Sequence, residues 1–369
     1  RTSLAATAVL EDVPPAGSST RYAAEVATDQ ALLAFMVQTL RVPDEDDHVR
    51  IPREINEARD LFRDAGWIDS PASYHEVPPP LEEVERKLRS STGLAYEHIR
   101  FESGYEPREK EPGRDRWLAR EANRTAHAYV LRHEGPPRPW LVCTHGYQMG
   151  SPAIDLRAFD AKKLHEQRGL NLLFPVLPLH GPRKAGRISG EYFLTADFLD
   201  SIHAEAQAMW DMRRLVGWLR AEGAETIGAY GLSLGGYTTA LFSALEPGLA
   251  CALAGIPATD FARLVWHHGP ARSLLHGQQS GIDRGTAEEI LRVVSPLALP
   301  CQVPLENRAI FGAIGDQLVP ADQVRDLWRA WDEPRIAWYE GGHLSFVFHP
   351  EVGALIRRTF DEAGLSGSS

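Results

Sequence analysis

Thr226 to Leu245 reads TIGAYGLSLGGYTTALFSAL, and this stretch decides the fold. Its first five residues, Thr226 to Tyr230, are β-prone and mostly apolar. Its last ten, Gly236 to Leu245, have helical spacing, with Tyr237, Ala240, Leu241 and Ala244 along one side. Between them lies Gly231-Leu232-Ser233-Leu234-Gly235. A serine that attacks a carbonyl must stand clear of its neighbours, and a strand that turns abruptly into a helix holds it there under strain. Glycines two before and two after the serine let backbone pass close without a Cβ in the way. The helix that starts behind the serine aims free N–H groups at negative charge developing on a substrate oxygen. The plainer reading is a glycine-rich β-to-α turn with a capping serine. The match sits between a strand pattern and a helix pattern, as the chemistry requires.

Working outward, 369 residues suffice for one large α/β domain with an appendage or for two modest domains, and 43% hydrophobic residues can fill a sizeable core. A net charge of −11 without any basic run argues against a nucleic-acid partner and against an anionic membrane surface. The three cysteines, Cys143, Cys251 and Cys301, are odd in number and widely spaced, with no metal-ligand pattern. A reducing, cytoplasmic setting fits them. No run approaches eighteen consecutive apolar residues, so no transmembrane helix is expected. The chain starts at Arg1 without a methionine or a basic-then-apolar leader, which fits a trimmed N-terminus.

The chain in order begins with a loose arm to about residue 20. A helix is expected from Arg21 to Arg41, its stripe formed by Ala24, Val26, Ala27, Ala31, Leu32, Phe35, Met36 and Leu40. A second helix is expected from Pro52 to Ala65, and a short third from Leu81 to Arg89 after the stiff Pro78-Pro79-Pro80. Residues 1–93 therefore read as a helical N-terminal extension, and 94–369 as the main domain. The extension must bury its stripe on that domain, over the site, or against a second copy, and its helices offer a homodimer surface. Eight strands follow: Glu97–Glu102, Thr125–Leu131, Trp140–Thr144, Asn171–Leu177, Thr226–Tyr230, Leu249–Ile256, Arg308–Ile314 and Arg335–Tyr339. The first two alternate and should be antiparallel. The others alternate with helices and should be parallel. Residues 258–299 form an extra helical segment after the sixth strand.

A serine hydroxyl is a weak nucleophile until a base takes its proton, and the base needs a third group to fix its tautomer. Asp316, in Gly312-Ala313-Ile314-Gly315-Asp316, follows the seventh strand; His343, in Gly341-Gly342-His343, follows the eighth. Both fall in loops at the C-terminal ends of strands, where ligands gather in parallel sheets. Their glycine neighbours suit tight turns. Asp322 and Glu340 are the rival acids. Asp322 reads as a helix cap after Pro320, and Glu340 as a strand end. His349 and the pair His267 and His268 are the rival histidines, and no further ligands accompany that pair at metal-binding spacing. Two backbone donors should hold the oxyanion: Leu234 N–H, and an N–H from Thr144-His145-Gly146-Tyr147, with Tyr147 ahead of Gly146. His145 reads as a loop-fixing residue. Arg183, in His180-Gly181-Pro182-Arg183, reads either as an anchor for its loop or as a group for an anionic substrate.

Taken together, His-Gly after the third strand, G-x-S-x-G after the fifth, Asp after the seventh and His after the eighth resemble the α/β-hydrolase superfamily over roughly residues 95–362. The resemblance implies an α/β-hydrolase fold: an eight-stranded, mostly parallel sheet flanked by helices, with residues 258–299 as a lid inserted after strand six. It also implies an esterase-like serine hydrolase that needs no cofactor and no metal. Ser233, His343 and Asp316 would be nucleophile, base and orienting acid, Tyr147 and Leu234 would form the oxyanion hole, and the substrate would be a small-molecule ester. The helical extension departs from many single-domain esterases. Other readings are a peptidase or acyl-aminoacyl hydrolase, a thioesterase or acyltransferase, and, in another class, a non-catalytic small-molecule-binding protein on the same scaffold.

Overall fold

Apolar runs bounded by proline and glycine become the centre of one sheet. The computed structural model describes residues 10–39, 43–269 and 271–366. Residues 1–9 of the expected arm, and Leu40 and Arg41 at the expected end of the first helix, lie outside the described residues. The strands are β1 (Glu85–Ser91), β2 (Leu94–Glu102), β3 (Thr125–Leu131), β4 (Trp140–Thr144), β5 (Asn171–Pro175), β6 (Ile227–Leu232), β7 (Ala252–Gly255), β8 (Arg308–Ala313) and β9 (Arg335–Tyr339). They form a nine-stranded sheet in the order β1-β2-β3-β5-β4-β6-β7-β8-β9. β1, β2 and β3 are antiparallel to their neighbours, and β5 through β9 run parallel. Every residue of β4, β5, β6 and β7 is buried, as expected of parallel strands covered on both faces.

The helices are α1 (Thr20–Thr39), α2 (Glu45–Asp64), α3 (Arg114–Leu118), α4 (Glu121–Arg124), α5 (Pro152–Ala158), α6 (Phe198–Ala221), α7 (Leu234–Leu245), α8 (Phe261–His268), α9 (Ala271–Gln279), α10 (Arg284–Leu291), α11 (Ala321–Ala330) and α12 (Pro350–Glu362). Two apolar cores lie on the two faces of the sheet. One gathers residues of α2, α6, α7 and α10, such as Ile55, Met212, Leu241 and Ile290. The other gathers residues of α5 and α12, such as Leu156 and Phe360. The mostly parallel architecture flanked by helices is therefore present, with one strand more than the eight expected.

Three expectations are corrected. The segment expected to be a helix from Leu81 to Arg89 holds β1, whose sequence ERKLRSS pairs with β2 in register from Glu85–Arg100 to Ser91–Leu94. Thr92 and Gly93 make the hairpin turn with positive φ, so the sheet starts inside the region read as purely helical, and residue 93 lies in a hairpin. The second helix starts seven residues earlier than Pro52, at Glu45, because Asp44 and Asp47 form a reciprocal capping box. The docked face of α1 is also rotated. Of the expected stripe, Ala24, Ala27, Ala31 and Phe35 are exposed while Val26, Leu32 and Met36 are half-buried, and Tyr22, Glu25 and Leu33 turn inward beside them with Asp29 buried.

The segment after β7 carries α8, α9 and α10. It packs against the N-terminal region: α10 contacts α2, and Arg63 on α2 donates twice to the Glu289 carboxylate, at 2.5 and 2.8 Å. The stretch before α1 is also held, through Arg329 Nε to Asp12 at 3.0 Å.

Candidate active site

β4 lies between β5 and β6, so the chain winds one way from β4 to β5 and then crosses to the other side. A crevice opens at such a switch point, between the loops that leave β4 and β6. The loop after β6 carries Ser233 and that after β4 carries His145, Gly146 and Tyr147. A side chain at Gly235 would bring its Cβ to 1.9 Å from Thr144 O and 2.6 Å from His145 O, so only glycine lets the two loops meet. A Cβ at Gly231 would come to 1.9 Å from Gly235 O. Close approach is therefore what both glycines of the motif serve.

Ser233 itself has φ 57° and ψ −117°. These are the angles of the first central position of a type II′ turn, which glycine dominates, and a residue with a Cβ is strained there by about 1–3 kcal/mol. The surroundings enforce it: Ser233 N–H donates to Gly255 O at 2.8 Å, and Ser233 O accepts from Gly236 and Tyr237 N–H at 2.8 and 3.1 Å. α7 begins at the next residue, Leu234. Among the described residues, neither Leu234 N–H nor Tyr147 N–H donates to a protein acceptor, while Gly146 N–H points at Met149 Sδ, 3.2 Å away. That difference favours Tyr147 over Gly146 as the second donor from this loop.

His343 follows β9 and Asp316 follows β8, and both are buried. His343 Nδ1 lies 2.6 Å from Asp316 Oδ2, and Asp316 Oδ1 accepts N–H bonds from Leu318 and Val319, each at 2.8 Å. A carboxylate saturated in this way takes Nδ1–H as its donor, which leaves Nε2 as the basic nitrogen. Burial favours the neutral imidazole, but the carboxylates of Asp316 and Asp29 outweigh it, and His343 titrates above its ordinary value. Among the described residues no hydrogen bond joins Ser233 Oγ to His343. Such bonds are often long before substrate binds.

The rival residues have other employment. Asp322 accepts from Arg263 Nη1 at 3.1 Å, and Glu340 is exposed. His349 lies between Glu25 and Glu351, 3.5 and 3.3 Å away. His268 Nε2 donates to Leu318 O at 2.8 Å, and no group of three or more metal-ligating side chains occurs among the described residues. His145 is a loop brace: Nδ1 bonds Gly146 O at 2.8 Å, Nε2 accepts from Leu177 N–H at 3.1 Å, and burial depresses its pKa to about 4. Arg183 is fully buried and anchors its own loop, donating to Val176 O and Asn123 O at 3.0 Å and pairing with Asp211 at 2.9 Å. The anchoring alternative for that arginine therefore holds.

One residue escaped the sequence reading. Asp29 on α1 is 1% exposed, and its Oδ2 accepts the N–H of His343 at 2.6 Å and that of Gln317 at 3.3 Å. A polar residue set on the same helical face as Tyr22, Leu33 and Met36 was the available signal. The glycines beside the two residues also serve a purpose other than tight turning. A Cβ at Gly315 would meet Tyr22 at 2.5 Å and one at Gly342 would meet Asp29 at 2.7 Å, while one at Gly341 would meet both Ser345 Oγ of its own loop at 2.3 Å and Glu25 Oε2 at 2.4 Å. None of the three has positive φ. Gly315 and Gly342 make room for α1, and Gly341 for α1 and its own loop together.

Ser233, Leu234 and Tyr147 line a cavity of about 230 Å³. Its other walls are mainly apolar: Leu33 and Met36 from α1, Ile51 from α2, Phe198 from α6, and Leu264 and Trp266 from α8. The N-terminal helices and the segment after β7 thus enclose one pocket. No helix among the described residues is long and apolar enough to cross a membrane.

No family model matches the chain. Among solved structures, acetyl xylan esterase 1 from Thermoanaerobacterium sp. aligns over 82% of this chain and 93% of its own, with a TM-score of 0.57 and 14% identity. An acetyl xylan esterase from Paenibacillus sp. R4 aligns over the same shares, with a TM-score of 0.56 and 16% identity. These likenesses are of fold. By sequence, two Mycobacterium tuberculosis proteins, uncharacterized protein MT2702 of strain CDC 1551 and uncharacterized protein Rv2627c of strain H37Rv, are each 39% identical over 357 residues, 96% of this chain and 86% of theirs. With a sheet of this order, a serine on a strained strand-to-helix turn, and an aspartate and a histidine after the last two strands, the chain has the α/β-hydrolase fold and belongs to one family with the two mycobacterial proteins.

Proposed function

We propose that the protein is a serine hydrolase that cleaves carboxylic esters with an apolar acyl group. The observations that carry this reading are the strained Ser233 opening on an apolar cavity and the buried His343–Asp316 pair in the loops after β8 and β9. Ser233 Oγ attacks the ester carbonyl while His343 Nε2 takes its proton. Asp316 holds Nδ1–H and stabilises the imidazolium. The N–H groups of Leu234 and Tyr147 donate to the developing oxyanion. The tetrahedral intermediate collapses to an acyl-serine as His343 gives its proton to the leaving alkoxide. Water, deprotonated by His343, then releases the acid and restores Ser233.

The acyl preference follows from the lining. An apolar acyl chain loses nothing by leaving water, whereas a polar one would leave hydrogen-bonding groups unpaired against Leu33, Met36 and Leu264. The test is a chain-length series of p-nitrophenyl esters on wild type and Ser233→Ala, with matched thioester and amide. The reading expects the highest kcat/KM for an acyl group longer than acetyl, ester ahead of amide, and loss of turnover in the variant. Equal turnover by both proteins would remove Ser233 from the chemistry. If wild type neither turned over any substrate nor reacted with an organophosphonate, a binding function on this scaffold would replace the reading.

A further inference from the structure

We propose that Asp29, on the N-terminal helix α1, is a positioning residue for the base of this hydrolase: its buried carboxylate fixes the backbone of His343 and the backbone just beyond Asp316 in one arrangement. The inference rests on the hydrolase reading for its consequence in turnover.

The geometry is specific. One oxygen, Asp29 Oδ2, accepts from His343 N–H and Gln317 N–H, so it ties together two loops that leave different strands. Among the described residues no lysine or arginine pairs with this carboxylate, although it is almost fully buried. A buried carboxylate without a cation is costly unless backbone donors hold it, so its presence at this depth marks a constraint at the donors. The glycines at 315 and 342 supply the second observation. They vacate the volume that Tyr22 and Asp29 fill, so the loops are shaped to receive this helix. Other bonds in the same loops do not replace this one. Asp316 fixes the imidazole ring and its own loop, and Ser345 Oγ accepts from Gly342 N–H at 3.1 Å, but neither takes the His343 N–H.

The charge matters as well as the bond. The groups that face His343 are Asp316 from the loop after β8 and Asp29 from α1. Around them stand Tyr339 at the end of β9, which senses both aspartates and Glu25; His349 at the start of α12, which pairs with Glu25; and His268 on α8, which senses Asp316. Asp29 adds negative potential that favours the imidazolium.

The experiment compares wild type, Asp29→Asn and Asp29→Ala, with the exposed Gln30→Ala as control, each verified as folded by near-UV circular dichroism. Two quantities are read. One is kcat and KM on the best p-nitrophenyl ester, and the other is the His343 titration followed by imidazole NMR, which needs no turnover. Asp29→Ala should lower kcat about 10- to 100-fold with KM changed less than about threefold, since misplacing a reacting group by an ångström costs about this much. Asp29→Asn keeps an acceptor and drops the charge, so it should retain more of kcat and move the His343 midpoint to lower pH. Gln30→Ala should match wild type in both. Wild-type kcat in Asp29→Ala, or an unmoved His343 midpoint in Asp29→Asn, would overturn the proposal. If Asp29→Ala does not fold, Asp29→Asn alone decides by its midpoint. A wild type without turnover whose His343 midpoint still moves in Asp29→Asn would count against the hydrolase reading and leave the Asp29 contact standing.

Discussion

The two halves of the candidate site are built in opposite ways. The Ser233 half comes from contiguous chain: strand, strained turn and helix lie within twenty residues, and the backbone of one neighbouring loop completes it. The His343 half is assembled from three distant pieces, the loops after β8 and β9 and the middle of α1, and two of its glycines, Gly315 and Gly342, make room for another element rather than for a local turn. A nucleophile needs strain, which local chain supplies. A base needs orientation and charge, which in this protein are brought in from far along the sequence. The N-terminal helices are accordingly part of the catalytic apparatus we propose, where a sequence reading leaves them as an appendage.

The comparison can be broken at either half. The largest effect is expected at the serine turn. Gly235→Ala would force a Cβ to 1.9 Å from the Thr144 carbonyl, against backbone that cannot give way, and should leave no folded protein by circular dichroism and gel filtration. A folded Gly235→Ala protein would show that the two loops are not locked together. Next, Ser233→Ala should keep the fold and lose at least about 10³-fold in turnover. Ser233→Gly should be equally inactive yet melt about 1–4 °C higher than Ser233→Ala, because glycine relieves about 1–3 kcal/mol of backbone strain. Equal melting temperatures would mean that the turn stores nothing.

Smaller effects are expected at the histidine half. Gly342→Ala pushes a Cβ to 2.7 Å from the Asp29 carboxylate and should cost about 10- to 100-fold in kcat without unfolding. Full turnover in that variant would return α1 to the status of an appendage. The smallest expected effect is a shift along the pH axis. His343 acts as a base only when neutral, and Asp316 and Asp29 hold its pKa above the usual value against the pull of burial. The acid limb of kcat/KM should therefore fall at a pH above about 6.5. A limb well below that value would mean that desolvation wins over the two carboxylates.

How far the sequence speaks depends on the distance between the residues that make a feature. The buried strands β4 to β8, the turn at Ser233, and the placing of Asp316 and His343 after the last two strands are legible because each is a local pattern with a physical cause. Arg183 reads as either anchor or ligand because the two differ only in what lies opposite, here Asp211. β1 was read as helix because ERKLRSS carries no alternation: six of its seven residues are exposed, and a polar edge strand shows no apolar period. The face of α1 is only partly legible because counting alanines as buried hides that Tyr22 and Asp29 join Met36 in the docked row. Asp29 could not be assigned a partner, since nothing in a helical period names the loop it will meet.

The contact between Asp29 and His343 spans 314 positions of the chain. A helix made among the first residues must hold its place, with a carboxylate and an apolar row uncovered, until β9 and the loop beyond it have been synthesised. Non-local closures of this kind form late in folding. The turn at Ser233 can thus be complete while His343 is still without its footing, so on the mechanism we propose hydrolytic competence is a property of the finished chain, and a stalled or C-terminally clipped copy would carry the serine without the power to use it.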